Sequence, residues 1–237
     1  MIDILAFGIH PDDVELSCGG TLLKHISAGY SVGIIDLTKG ELGTRGNPEL
    51  RLQEATAAAK ILGITFRENI GLADCFFKND RESQYKIIEK IREYQPKIVI
   101  CNAISDRHPD HARAAQLISD ACFYSGLLKI ETSFNKKIQA IHRPNVIYHY
   151  IQDKQLKPDF VVDVTGFVDV KMEAIKAYSS QFFNPNSKEP ITPISTEAFL
   201  ECIKSNMRVF GRSIGVDFAE GFTVERCIGV DDLFSIK

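Results

Sequence analysis

Three stretches of the chain are apolar almost without a break: Ile2 to Ile9, "SVGIIDL" from Ser31 to Leu37, and "KIVICNA" from Lys97 to Ala103. Strands that do not alternate apolar with polar residues are covered on both faces, as in parallel sheets. Between them the apolar period becomes helical. One helix runs from Val14 to Ala28 and ends at Gly29, a C′ glycine. The next starts near Pro48, puts Leu52, Ala55, Ala59 and Leu62 on one face and closes at Gly63. After a short strand at "ITFREN", Ser83 to Tyr94 buries Ile87, Ile88 and Ile91 and stops before Pro96. Beyond "KIVICNA", a stripe of Ala114, Leu117, Ile118, Ala121 and Cys122 marks another helix. This alternation implies an α/β fold, an open and mostly parallel sheet with helices on both faces and right-handed crossovers.

The second half is less regular. Strands are expected near Val146 to Tyr150 and Phe160 to Val164, helices at Val168 to Ser180 and Thr196 to Phe210, and a last strand within "GFTVERCIGV". Residues 182–195, "FFNPNSKEPITPIS", read as a mobile surface loop and mark no boundary, so residues 1–237 form a single domain. A net charge of −3 with mixed signs leaves no nucleic-acid footprint. The N-terminal apolar run is too short to span a membrane and lacks a signal peptide's basic flank. The six cysteines are scattered, with no C-x-x-C pair, which suits reduced thiols in a cytoplasmic protein.

Two strand ends carry nearly the same signature. "HPDD" (His10, Pro11, Asp12, Asp13) follows the first strand, and "HPDH" (His108, Pro109, Asp110, His111) follows "KIVIC". In open α/β sheets ligands bind outside the C-terminal ends of the strands, so both turns can share one crevice. Each turn alone has a bland account: Asp12 or Asp13, and Asp106 or Asp110, would cap a helix that Pro pre-sets. Capping does not explain why three of the chain's six histidines sit in these two turns. A catalytic zinc takes about three His or carboxylate ligands and keeps a position open. His10, Asp13 and His111 fit that set. Asp12 is left beside the metal, where a general base belongs, and His108 is left to stabilise an oxyanion or protonate a leaving amine.

Other residues stay open on their own evidence. Arg51, just after the glycine-rich loop, is either a substrate clamp or a solvated arginine. Asp74 in "GLADC" either meets sugar hydroxyls or starts a turn. "CGGTLLK" lacks phosphate-loop spacing, and close helix packing at Gly19 and Gly20 explains it better. His25, His142 and His149 read as structural or surface residues, His149 standing at a strand end.

The order and spacing of "HPDDVE", "GELGTRGNPELRLQEA", "GLAD" and "RHPDHARAA", with the tail "RVFGRSIGVDFAEGF", resemble the LmbE-like (PIG-L) family of zinc-dependent N-acetylglucosamine deacetylases. Within it they are most similar to the bacillithiol-biosynthesis branch. The resemblance implies a Rossmann-like sheet and one Zn2+ per subunit at His10, Asp13 and His111. Asp12 would be the general base and His108 the second acid/base or oxyanion group, with Arg51 and Asp74 at substrate. It further implies hydrolysis of an acetamide on a small amino-sugar, N-acetylglucosaminyl-malate in that branch, by a homo-oligomer that uses neither nucleic acid nor membrane. Ile9 stands where the family has a small residue and should tighten packing behind His10. The rival expectations are a deacetylase of another substrate, such as a chitooligosaccharide, or a non-catalytic sugar- or nucleotide-binding protein.

Overall fold

The computed structural model describes residues 1–235, and its strands fall into one large sheet and one small hairpin. The sheet is built from β1 (Ile4–Gly8), β2 (Val32–Thr38), β3 (Phe66–Leu72), β4 (Ile98–Cys101), β7 (Val146–Tyr150), β8 (Phe160–Asp163) and β9 (Ala219–Val224). The hairpin pairs β5 (Ser133–Phe134) with β6 (Lys137–Ile138). Across the sheet the strand order is β3-β2-β1-β4-β7-β9-β8. β3, β2, β1, β4 and β7 run parallel, while β9 lies antiparallel to both of its neighbours. β1 and β2 are buried at every position, as unbroken apolar strands require.

Within the sheet, side chains still separate by a period of two. Leu5, Phe7, Ile35 and Leu37 face one side, where they meet α3 (Arg81–Tyr94) and α4 (Pro109–Ser125). Ile4, Ala6, Val32 and Ile34 face the other, with Val14, Cys18 and Leu22 of α1 (Asp13–Ser27). On that side α1 packs with α2 (Pro48–Leu62) and α5 (Val168–Lys176), and α6 (Glu197–Ser213) lies along β9. The α/β reading therefore holds, with helices on both faces.

Close packing is required at Gly20 but not at Gly19, where a Cβ would meet Lys171 Cγ at an ordinary 3.4 Å. A Cβ on Gly20 would stand 3.0 Å from both Glu220 Oε1 and Val164 Cβ, so α1 can approach β9 only without one. Where the sequence expectation and the fold differ, the causes are local. Leu52 is 61% exposed, and the inner face of α2 is rotated to Arg51, Glu54, Ala55, Ala58 and Leu62. Polar partners inside the protein draw Arg51 and Glu54 inward: Asp12 for the first, Ser180 for the second. The last strand starts two residues before Gly221 and ends at Val224, because Glu225 turns out of the sheet to His149. The β5–β6 hairpin has no apolar alternation to announce it; its turn places Asn135 and Lys136 at φ 50° and 64°. No helix among the described residues is long and apolar enough to cross a membrane.

The chain leaves β1 toward β2 and β3 on one side and later places β4 on the other, so strand order reverses between β1 and β4. The carboxyl ends of these two strands flank the crevice that such a reversal opens. "HPDD" follows β1 and "HPDH" follows β4.

Candidate active site

The two turns meet. The ring centroids of His10 and His111 lie 5.8 Å apart, and those of His10 and His108 lie 4.9 Å apart. Asp12 occupies the N-cap position of α1 but makes no capping bond, and its backbone is held at φ 127° and ψ −24°. That conformation is uncommon for a residue with a side chain and stores strain of about 1–3 kcal/mol. Capping is thus not what Asp12 does. Its carboxylate accepts from Arg51 Nη2 at 2.9 Å, and the same nitrogen donates to Pro11 O at 2.6 Å. Burial pushes the Asp12 carboxyl up to about 7 against the pull of the Arg51 guanidinium.

Arg51 can reach Asp12 because the glycine-rich loop gives way. A Cβ at Gly40, whose φ is 64°, would fall 2.0 Å from Arg51 Nη1. The same loop docks on Asp74: Leu42 N donates to Asp74 Oδ2, and Asp74 N donates to Glu41 Oε1, both at 2.9 Å.

At the second turn the expected cap is replaced. His108 caps α4, its Nδ1 accepting from Asp110 N at 3.3 Å. An imidazole that accepts at Nδ1 carries its proton on Nε2. Burial and the neighbouring His10 and His111 hold the His108 pKa below the ordinary value, which favours this neutral donor. Asp106 does not cap either; it takes the Nδ1 proton of His111 at 2.5 Å and also accepts from Lys154 N. Nε2 of His111 is thereby turned inward, 3.3 Å from Asp13 Oδ1, where it offers a lone pair once its proton is displaced. His10 is clamped in the opposite sense. Its Nε2 donates to Asp74 Oδ1 at 3.1 Å, leaving Nδ1 toward Asp13 Oδ2 at 3.8 Å.

Asp13 is buried and held on both oxygens. Asn102 Nδ2 and His10 N donate to Oδ2, and Gln152 Nε2 donates to Oδ1. Burial opposes its charge, but the adjacent His111 and His10 keep it well below the carboxylate range. Burial likewise opposes protonation of the two imidazoles. The nearby Asp110 carboxylate and the hydrogen bond to Asp74 nonetheless raise His10 to about 10, and the charge of Asp13 with the Asp106 contact raises His111 to about 9. Two imidazoles with high proton affinity around one anion form a site suited to a cation.

His10, Asp13 and His111 can present one ligand atom each within 4.8 Å of one another. Two overlapping groups, His10–His108–Asp110 and Asp74–Cys75–Asp110, pass the same distance test. They differ in their imidazoles: His10 turns Nε2 to Asp74, His108 uses Nδ1 as the α4 cap, and the Asp74–Cys75–Asp110 group has no histidine. The first group alone combines two inward lone pairs with a carboxylate. Each of its histidines is fixed by a carboxylate on the far nitrogen, the arrangement that orients metal-binding imidazoles. The residues fit a divalent metal.

Asp74, Asn102, Asp106 and Gln152 therefore act on these residues from behind. Sequence reading does not single out Asn102 or Gln152, since an amide after a strand carries no motif. Asp106 is visible there only as a helix cap. His149, buried beneath Asn102, bonds its carbonyl and Glu225, while His25 and His142 bond main-chain carbonyls. Arg51 is 4% exposed, which excludes a solvated arginine. A cavity of about 350 Å³ opens over the whole cluster. The 182–195 segment forms one of its walls: Arg45 holds Ser187 and Glu189, and Thr192 to Ile194 line the space.

The GlcNAc-PI de-N-acetylase (PIG-L) family profile matches residues 5–122, which contain both turns. A diacetylchitobiose deacetylase of Thermococcus kodakarensis is 30% identical over 76% of this chain and 70% of its own length. The chain belongs to this family. It is a metal-dependent de-N-acetylase by class. The conserved protein TT1542 of Thermus thermophilus superposes with a TM-score of 0.85 at 34% identity, over 98% of both chains. A 4-oxalmesaconate hydratase of Pseudomonas putida is 24% identical over 75% of this chain and 73% of its own.

Proposed function

We propose that this deacetylase hydrolyses the acetamide of an N-acetylglucosaminyl compound, using zinc held by His10, Asp13 and His111. The observation that carries the reading is the opposed clamping of the two imidazoles by Asp74 and Asp106, which frees one lone pair on each toward Asp13. When bound, the ion supplies Lewis-acid polarisation of the acetamide carbonyl and acidifies water.

The protein's own groups divide the proton work. Asp12, buried and with its carboxyl pushed up to about 7, takes the proton of the attacking water and returns it to the departing nitrogen. Its fixed orientation comes from Arg51 and from the strained turn. His108 presents Nε2–H to the oxyanion, because capping α4 occupies Nδ1. Arg51 and Asp74 line the same cavity and bound the substrate while holding Asp12 and His10. The reading includes a homo-oligomeric cytoplasmic enzyme. N-acetylglucosaminyl-malate and a chitooligosaccharide are the specific substrates that the resemblance and the Thermococcus relative support.

The test is acetate release from a panel of N-acetylglucosaminides by metal-depleted protein, before and after zinc is restored. Zinc-dependent release is expected. Release at full rate without metal, or none from any member while 4-oxalmesaconate is hydrated, would overturn the reading.

A further inference from the structure

Of the three histidines outside the cluster, His25 and His142 bond only main-chain carbonyls, but His149 is held at both ends of its ring. It lies on β7 between Cys101 of β4 and Thr223 of β9 and is 2% exposed. Nδ1 stands 2.9 Å from Asn102 O, and Nε2 stands 2.9 Å from Glu225 Oε1. A carbonyl and a carboxylate oxygen only accept, so each nitrogen carries a hydrogen and the ring is an imidazolium. Cys101 Sγ, 3.3 Å from Nδ1, does not alter this, because a bare Nδ1 would face Asn102 O lone pair to lone pair. Burial opposes the charge, but Cys101, Glu225 and the Asn102 carbonyl raise the His149 pKa to about 11. Replacing a buried ion pair by apolar groups is often neutral for a fold, so stability alone does not account for this one.

What the ring holds is a single peptide. β4 ends at Cys101, and the Asn102–Ala103 peptide lies just beyond it. His149 takes the C=O of that peptide, while on the other side Ala103 N donates to Gln152 Oε1 at 3.3 Å. The Asn102 side chain is anchored by Ile9 N, which donates to its Oδ1, and its Nδ2 donates to Asp13 Oδ2 at 2.9 Å. Gln152 Oε1 also accepts from Asn102 Nδ2, which aims Gln152 Nε2 at Asp13 Oδ1. One peptide plane therefore sets two amides, one for each oxygen of Asp13. Outward, Glu225 Oε1 accepts from Ser119 Oγ of α4, two turns beyond His111. The peptide that steadies Asp13 is thus tied to the helix that carries His111.

We infer that His149, with Glu225 behind it, is a positioning residue for the metal centre: it fixes the Asn102–Ala103 peptide and, through it, the two amides that aim Asp13. This rests on the proposed ion at His10, Asp13 and His111. The ring itself touches neither ion nor substrate.

Two near-isosteres, both checked for native melting, split its bonds. His149→Asn can place an N–H where Nδ1–H stands and keeps the bond to Asn102 O. His149→Gln can place one where Nε2–H stands, so it reaches Glu225 and leaves Asn102 O unheld. Zinc affinity in a chelator competition should stay near wild type in His149→Asn and fall about tenfold in His149→Gln, the lower end for a group behind a metal ligand. Exchange of the Asn102 and Gln152 side-chain amide protons, followed by NMR in metal-free protein, reads the same link without an ion and should be faster in His149→Gln than in His149→Asn. Equal affinities, equal exchange, or affinities that merely follow the melting temperatures overturn the inference. In the wild-type protein, 15N shifts should show both ring nitrogens of His149 protonated at neutral pH. A bare Nδ1 cannot hold the carbonyl and overturns the inference whatever the variants do. If the wild-type protein binds no zinc, the metal reading has failed, and amide exchange decides whether His149 positions Asp13.

Discussion

Replacing Arg51 with Met separates two jobs that this residue has been given. The guanidinium touches Asp12 Oδ2 at 2.9 Å inside a buried site, and its charge opposes the burial that raises the carboxyl to about 7. A neighbouring arginine typically lowers a carboxyl pKa by about 1–3 units. In Arg51→Met the Asp12 pKa should therefore rise by that amount. Activity requires Asp12 ionised to take a proton, so it is lost as pH falls through this pKa. The acid limb of kcat/KM should then move up by about 1–3 units from its wild-type position, and the bound cation leaves that difference in place because it acts on both proteins alike. Below both acid limbs that shift is a loss of about 10- to 1000-fold, and it recovers as pH rises. Arg51→Lys, which keeps a charge but not the planar guanidinium whose Nη2 meets both Asp12 and Pro11 O, should lie between. The assay is a kcat/KM profile from about pH 5 to 11 with zinc occupancy checked at each point, wide enough to include a limb displaced by about 3 units. A uniform loss with an unmoved acid limb would refute the pairing and leave Arg51 as a substrate contact alone.

Four further outcomes can be measured on the same protein. Asp106→Asn replaces the charged acceptor that fixes His111 with a neutral amide and should weaken zinc binding about 10- to 100-fold in a chelator competition. Metal uptake should strengthen with pH below about 9, because His10 and His111 hold protons up to about 10 and 9 that the ion must displace; uptake independent of pH would contradict those values. Lys171→Met leaves Glu220 buried without its cation and should cost about 3–5 kcal/mol in urea unfolding, while the double change to Lys171→Met and Glu220→Met should cost less. Gly20→Ala should destabilise by about 1–3 kcal/mol through contact with Val164, whereas Leu52→Glu on the exposed side of α2 should stay within about 0.5 kcal/mol.

The parallel half of the fold is legible because its strands are buried on both faces, and Ile4 to Phe7 can hardly be anything else. At the antiparallel end the strands themselves are anticipated, but the insertion of β9 between β7 and β8, antiparallel to both, is not, since no local pattern encodes pairing partners. The site is legible to the extent that its residues are rare: histidines clustered at two strand ends call for an explanation. Its supports are not. Asn102 reaches Ile9 N, Asp13 and Gln152 only because β1, β4 and β7 lie side by side, a relation that no spacing encodes. The face of α2 escapes sequence reading for a related reason. Hydrophobicity alone puts Leu52 inside, but Arg51 has an anion to meet there.

Both proline turns could have started their helices by capping, and in both the carboxylates are withheld from that work. At α1 the N-cap position is filled by Asp12 in a conformation that costs free energy, with its side chain turned to Arg51 instead of the helix amides. At α4 the cap falls to a histidine, a weaker acceptor, while Asp106 goes to His111 and Asp110 to His10, Arg113 and Cys75 N. A chain under pressure only to fold would use the aspartates as caps, each worth about 0.5–2 kcal/mol. Here helix-starting stability is given up twice at the one place where the sheet changes direction. The strain at Asp12 holds because Arg51, Pro11 and the Gly40 loop fix it from three sides, so loosening any of them should disturb the orientation of the base before it disturbs the fold.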